Sequence, residues 1–215
     1  MPKPTFFRLP DEKRERLIKA AYAEFTRAPF SDASISNIIK EAGIPRGSFY
    51  QYFDDKADIF FYLLDQVREG TELWTEKTLT AHHGDFFAAM AELFDHAIDA
   101  LVSGPYAKFY RNVFMYMDFH AASKLSPGEH HHKGKGQVVQ YLVANIDREK
   151  LLVHSDDELQ ILVRQVTGLF MQTIGYYYNH LHDGEEVPVQ ELKARMAQML
   201  TWLQFGVAKK EGTHD

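Results

Sequence analysis

The sequence predicts an all-α fold. Apolar residues recur every three to four positions through most of the 215 residues, the period of a helix with one face in a core. The periodic segments are separated by glycine and proline, and no stretch shows the alternation of a half-buried strand. A content of 45% hydrophobic and 13% aromatic residues is enough to bury a core, in one or two domains.

From the N-terminus, the first helix is expected from about Asp11 to Arg27. Leu17, Ile18, Ala21, Tyr22 and Phe25 make a single apolar stripe, and Asp11 and Glu12 suit the positive end of the helix dipole. Pro29 ends it. The residues before it, with Lys3 and Arg8, read as a frayed tail, the other reading being an arm that follows a minor groove. A second helix starts at Ser34, a favourable N-cap, and buries Ile35, Ile38 and Ile39. Gly43 supplies a turn. A very short helix follows, Arg46 to about Tyr52, with Phe49 and Phe53 as core anchors. Asp55 and Asp58, three residues apart, form an acidic capping arrangement for a long helix running through Phe60, Leu63, Leu64 and Val67 towards Leu79. Further helices are expected near 84–103, 105–123, 134–147, 156–181 and 188–209. The breaks fall at Gly84, Gly104-Pro105, Ser126-Pro127-Gly128 and Asp183-Gly184, and Glu129 to Gly136 reads as an exposed loop.

The segment from Ser34 to Lys56 has the layout of a helix-turn-helix, whose second helix enters a DNA major groove. The run IIKEAGIPRGSFYQYFDDKADIF within it closely resembles the DNA-binding signature of TetR/AcrR transcriptional regulators, the tetracycline-repressor-like proteins. The likeness covers roughly residues 10–62 and is most specific at Glu41-Ala42-Gly43, Gly47-Ser48-Phe49-Tyr50 and Tyr52-Phe53. It implies an N-terminal three-helix helix-turn-helix head, residues 1–55, and a C-terminal helical ligand-binding and dimerisation domain, residues 56–215. One departure is Pro45, where the family usually has a Ser or Thr that caps the recognition helix. Proline lacks that hydroxyl but pre-sets the backbone at a helix start.

Chemistry assigns the DNA contacts. Arg46 can reach a guanine edge bidentately and Gln51 an adenine. Gly47 lets the backbone approach the groove, and Ser48 is short enough for a phosphate or a base. By resemblance, Tyr50 and Tyr52 present hydroxyls to phosphates, and Lys56 holds the DNA backbone; outside this motif both tyrosines would read as ordinary half-buried aromatics. Ser34 and Ser36 offer a hydroxyl and helix-end amides to a phosphate. The formal net charge is −6, but residues 1–60 sum to +1 and the remainder to −7. The case for DNA therefore rests on the motif and not on bulk charge.

The later helices are rich in Phe and Tyr, which fill cores as readily as they line small-molecule pockets. The resemblance favours a pocket, assigned to Phe94, Tyr110, Arg111, Phe114, Gln172 and Tyr176, for a hydrophobic effector. Asn112 and Gln165 are further polar residues in apolar patterns, for which a helix–helix hydrogen bond is an equal reading. The segment 156–181 is apolar on two sides, with Ile161, Gly168, Met171 and Gly175 opposite the main stripe. It should be buried all round. With Leu192, Met196, Met199, Leu200, Leu203 and Val207 near the C-terminus, it suits a four-helix interface; the family resemblance implies that this is a homodimer, on a pseudo-palindromic double-stranded DNA operator. A monomer whose other helices cover both faces is the alternative.

Other chemistry is not expected. There is no cysteine, hence neither disulfide nor thiolate chemistry. Neither His82 with His83 nor His130, His131 and His132 completes a closed metal site. No nucleophile elbow and no phosphate loop are found, so no enzymatic activity and no cofactor are expected; the alternative reading is a helical small-molecule binding protein or enzyme whose head no longer binds DNA, against which the intact Arg46–Tyr52 face argues. No apolar run is long enough to cross a membrane, and the cytoplasm is the default location.

Overall fold

The computed structural model describes residues 2–116 and 137–208, and the regular elements among them are all helical. In chain order they are α1 (Pro4–Phe7), α2 (Asp11–Arg27), α3 (Ile35–Ala42), α4 (Arg46–Tyr52), α5 (Lys56–Ala81), α6 (Phe86–Val102), α7 (Ala107–Tyr116) and α8 (Gln137–Asn145). A 3₁₀ turn (Arg148–Lys150), α9 (Asp156–His182) and α10 (Val189–Phe205) complete the chain. The expected break at Ser126-Pro127-Gly128, the loop from Glu129 to Gly136 and its three histidines lie outside the described residues, as does the last part of the helix expected over 105–123.

The described residues divide into two compact units: those up to Trp74 with those from Ala100, near the end of α6, through α7, and Thr75–Asp99 with those from Gln137 onward. The core of the first is built where the sequence pattern placed it. Leu17, Ala21 and Phe25 of α2, Ile38 of α3, Phe49 of α4, Phe53, and Ile59 and Leu63 of α5 are all buried together. Ile18, Tyr22, Ile35 and Ile39 are partly buried against them. Phe109 of α7 joins this core, and Asn112 donates its side-chain amide to the carbonyls of Phe25 and Thr26 at 2.7 and 3.2 Å. Asn112 thus ties α7 to the end of α2, the helix–helix reading of that residue.

Local signals explain the helix ends. Ser34 Oγ accepts from Ser36 N at 3.1 Å, capping α3. Gly43 closes it at φ 63, a left-handed position, with Ile44 N donating to Ile39 O at 3.1 Å and Gly43 N to Lys40 O at 3.2 Å. That bond pair is the Schellman arrangement, which favours glycine. At α5, Asp58 N donates to Asp55 Oδ1 and Asp54 N to Asp58 Oδ2, both at 2.9 Å, the acidic cap that the sequence suggested.

The N-terminus departs from expectation. It is not a frayed tail: α1 opens on Pro4 at its first turn, and Phe6 is fully buried in the core. Phe6 lies 5.0 Å from Phe53 and 5.2 Å from Tyr62, ring centre to ring centre. A four-residue helix is too short to be read by period, and what holds it is tertiary burial of an aromatic ring.

In the second unit, Leu159, Val163, Val166 and Ile174 of α9 are buried, as are Leu192, Met196 and Leu200 of α10. Phe94 of α6 stacks on Phe170 of α9 at 4.7 Å. Lys193 of α10 bridges Asp95 and Asp99 of α6 at 2.9 and 2.7 Å. The corner after α5 is a glycine by necessity. Gly84 sits at φ 79, and a Cβ there would meet Asp147 N at 2.8 Å, the amide that donates to Gly84 O at 2.9 Å. The second apolar side of α9 is open in the single chain. Ile161 and Met171 are exposed, and a Cβ at Gly168 or Gly175 would meet nothing within 4 Å. On α10, Trp202 and Phe205 also face solvent, as does Val207 just beyond.

Candidate nucleic-acid interface

Seven residues make α4, and its apolar side chains decide how it sits. Phe49 is fully buried on one face, and Phe53 anchors the chain directly after the helix. The opposite face is thereby turned outward: Arg46, Gly47, Tyr50 and Gln51 are exposed, and Ser48 and Tyr52 are half-buried. The Arg46 guanidinium lies 6.0 Å from the centre of the Tyr50 ring, a cation–π distance. Nothing lies within 4 Å of where a Cβ on Gly47 would stand. Internal packing makes no demand for glycine at that position, which leaves room for close approach from outside. Pro45 is the N-cap with extended backbone and no side-chain cap. Ser48 and Tyr52 line a small cavity of about 170 Å³ with Lys13, Arg16 and Ile44.

The start of α3 is held by Glu24, a buried carboxylate on α2. Arg27 grips it with two hydrogen bonds of 2.8 and 2.7 Å. Ser34 N donates to it at 2.7 Å and Asn37 Nδ2 at 3.0 Å. The Arg27 hydrogen bonds first, then those from Ser34 and Asn37, hold its pKa down to about 2 against the opposing effect of burial. Arg16 Nε adds a bond to Ala42 O at 2.8 Å, at the other end of α3. Of the two serines assigned to phosphate contact, Ser34 is half-buried and Ser36 exposed. The Ser34 amide is taken by Glu24 and the Ser36 amide by Ser34 Oγ, so the Ser36 hydroxyl and the O–H donor of Ser34, whose oxygen already accepts, are the groups left to reach outward.

Lys56 has partners of its own. Its ammonium donates to Ser31 O at 3.1 Å and Ala33 O at 2.8 Å, and lies 4.7 Å from the Phe30 ring centre. Two of its three donors therefore hold the loop between α2 and α3. Sequence reasoning did not find this role, nor that of Glu24, because the partners are backbone groups distant in the chain.

The six effector candidates separate. Phe94, Gln172 and Tyr176 belong to the second unit, and Tyr110, Arg111 and Phe114 to the first. Phe94 is buried, and Tyr176 stands 4.2 Å from the Arg195 guanidinium and 4.0 Å from the His180 ring. Tyr110 packs against the head core, where burial pushes its hydroxyl pKa up. Arg111 and Gln172 are exposed, and so is Gln165. His82 pairs with Glu92 at 2.8 Å, and among the described residues no group of three potential ligands gathers around a metal position.

Comparison with known proteins agrees with this geometry. Residues 17–63 match the family model of bacterial regulatory proteins of the tetR family, a span that contains every assigned DNA contact. Residues 85–207 match the tetracyclin repressor-like C-terminal domain. The chain belongs to the TetR family. The uncharacterized HTH-type transcriptional regulator YdgC of Bacillus subtilis (strain 168) is 43% identical over 68 residues, 32% of this chain and 35% of that protein. The chain spans about a third of the length of the first curated relatives it matches. A solved TetR family transcriptional regulator from Chloroflexus aurantiacus J-10-FL is 28% identical, with a TM-score of 0.52 over 96% of this chain and 98% of that one. A TetR-family transcriptional regulator from Pectobacterium atrosepticum shares the fold at 17% identity, with a TM-score of 0.58 over 90% and 91% of the two chains. As in these family members, the fold is all-helical, with a helix-turn-helix at the N-terminus and a helical C-terminal domain.

Proposed function

We infer that this family member is a ligand-responsive DNA-binding transcriptional regulator, acting as a repressor that leaves a pseudo-palindromic operator when a hydrophobic small molecule binds. The observation that carries the reading is the outward face of α4. A helix anchored through Phe49 presents Arg46, Gly47, Tyr50 and Gln51 to solvent within a family-matched head. Arg46 and Gln51 read bases; Ser34, Ser36, Ser48, Tyr50 and Tyr52 meet phosphates or sugar edges. Lys56 serves the backbone contact mainly by fixing the loop before α3.

The division of labour is a DNA-binding head, residues 1–55, and a ligand-binding and dimerisation domain, residues 56–215. The exposed apolar side chains of Ile161 and Met171 on α9 and of Trp202 and Phe205 on α10 support a homodimer, since a partner would cover apolar surface that the single chain leaves open. The effector residues we keep together are those of the second unit, Phe94, Gln172 and Tyr176. Among these, Phe94 and Tyr176 stand with aromatic or cationic neighbours suited to a hydrophobic guest. Effector binding would displace α5 and change the spacing of the two recognition helices, which must match the DNA repeat. No catalytic role is assigned. Among the described residues no helix is long and apolar enough to cross a membrane, and a cytoplasmic location suits a DNA partner.

The test is a gel shift with duplex from upstream of the protein's own coding region, run beside a scrambled duplex. Retardation of the first at concentrations that leave the second free supports the reading; equal indifference to both refutes it. Mass spectrometry of small molecules co-purifying with the native protein would name the effector, and adding that molecule back should release the duplex.

A further inference from the structure

The recognition helix ends abruptly, and an α-helix leaves its last carbonyls without partners. In α4 the bond from Phe53 N to Phe49 O, at 3.0 Å, is the last of the ladder, because Phe53 is already extended at φ −134. The carbonyls of Tyr50, Gln51 and Tyr52 remain. All three are met from the N-terminal segment. Lys3 Nζ donates to Tyr50 O at 2.8 Å, Thr5 Oγ1 donates to Gln51 O, and Lys3 N donates to Tyr52 O at 2.8 Å. Lys3 also pairs with Asp54 at 2.6 Å. Its ammonium stands at the negative end of the α4 dipole, where a cation is favourable. Phe6, fully buried between Phe53 and Tyr62, fastens the segment to the head.

We propose that Lys3 and Thr5 are positioning residues for DNA recognition, forming a clasp that holds the C-terminal turn of the recognition helix and so aims Tyr50, Gln51 and Tyr52 at the duplex. This rests on the DNA-binding reading above. It assigns Lys3 a partner set inside the protein, in place of a phosphate or a minor groove. The three carbonyls belong to the residues whose side chains are offered to DNA. A seven-residue helix has almost no intrinsic stability, so fraying of its last turn would spread those side chains over many orientations and lower affinity.

The clasp and a DNA-contacting arm make opposite predictions for salt dependence. A lysine that neutralises a phosphate contributes about one to the slope of log affinity against log salt, and its loss removes that increment. A lysine that only orders the helix leaves the slope alone. The experiment uses the full chain carrying Lys3→Met with Thr5→Val, and separately Thr5→Val, with fluorescence anisotropy against the upstream duplex at several salt concentrations. Amide hydrogen exchange of the free protein is followed in parallel. The double variant is expected to bind about tenfold more weakly with an unchanged salt slope, and its Phe53 amide to exchange about tenfold faster. Unchanged affinity overturns the proposal, and so does a slope reduced by about one. Should the double variant fail to fold, Thr5→Val alone carries the test, with weaker binding at constant slope expected and wild-type behaviour fatal to the idea. A wild-type chain that ignores the duplex refutes the DNA-binding reading, while the exchange rates still decide whether the clasp orders α4.

Discussion

Glu24 joins α2, the α3 N-terminus and Arg27 through one carboxylate. Its folded pKa of about 2 lies below the ordinary 4.5, so the stabilisation it brings is complete above about pH 4.5 and is lost as pH falls towards 2. The head should therefore melt at progressively lower temperature through that window, and Glu24→Gln should flatten the dependence while costing about 2 kcal/mol at neutral pH, the scale of a charged hydrogen bond lost from a buried group; calorimetry at a series of pH values checks both. Arg46→Ala should weaken binding unequally across operator variants, by about 1–3 kcal/mol at the base it reads, and anisotropy against a panel of duplexes tests this. Lys56→Ala should lower the melting temperature by an amount equivalent to about 1 kcal/mol, through release of the Ser31 and Ala33 carbonyls, and leave the salt slope of DNA binding unchanged. The residue types on α4 were legible in the sequence because their chemistry is read one side chain at a time. The occupations of Glu24 and Lys56 were not, because a backbone carbonyl or amide brought close by folding leaves no mark on composition or spacing.

Elements were legible wherever they were long enough to show a period and punctuated enough to show an end. The sequence put α2 at Asp11 to Arg27 and α4 at Arg46 to Tyr52, and the structure agrees at both. Gly43 is the clearest punctuation. Its left-handed backbone, and the absence of any neighbour near a would-be Cβ, make Gly43→Ala a pure backbone test, expected to cost about 1 kcal/mol with no packing contribution; urea denaturation of the two proteins measures it. The helix that escaped was α1, four residues held by Phe6 in the core and by Lys3 and Thr5 on α4. Pro4 and the Phe6-Phe7 pair were the only signals, and neither distinguishes a docked turn from a loose end. The helix over 156–181 was read correctly in extent, yet its second apolar side is open in the single chain, because a sequence pattern records that a face must be covered without recording by what.

For the whole molecule the decisive surface is the open set Ile161, Met171, Trp202 and Phe205. Replacing Trp202 and Phe205 together by Glu should shift the protein to a single chain in sedimentation with its helical content intact, since charges at an apolar interface oppose association. The same variant should lose far more operator affinity than a change of equal size elsewhere, because one head alone reads one half-site. That surface also fixes how the cell would feel the amount of protein it makes. Where association is weak, the number of pairs rises with the square of the number of chains. Halving synthesis would then remove about three quarters of the species able to straddle both halves of an operator, so control would fall off more steeply than gene dosage itself.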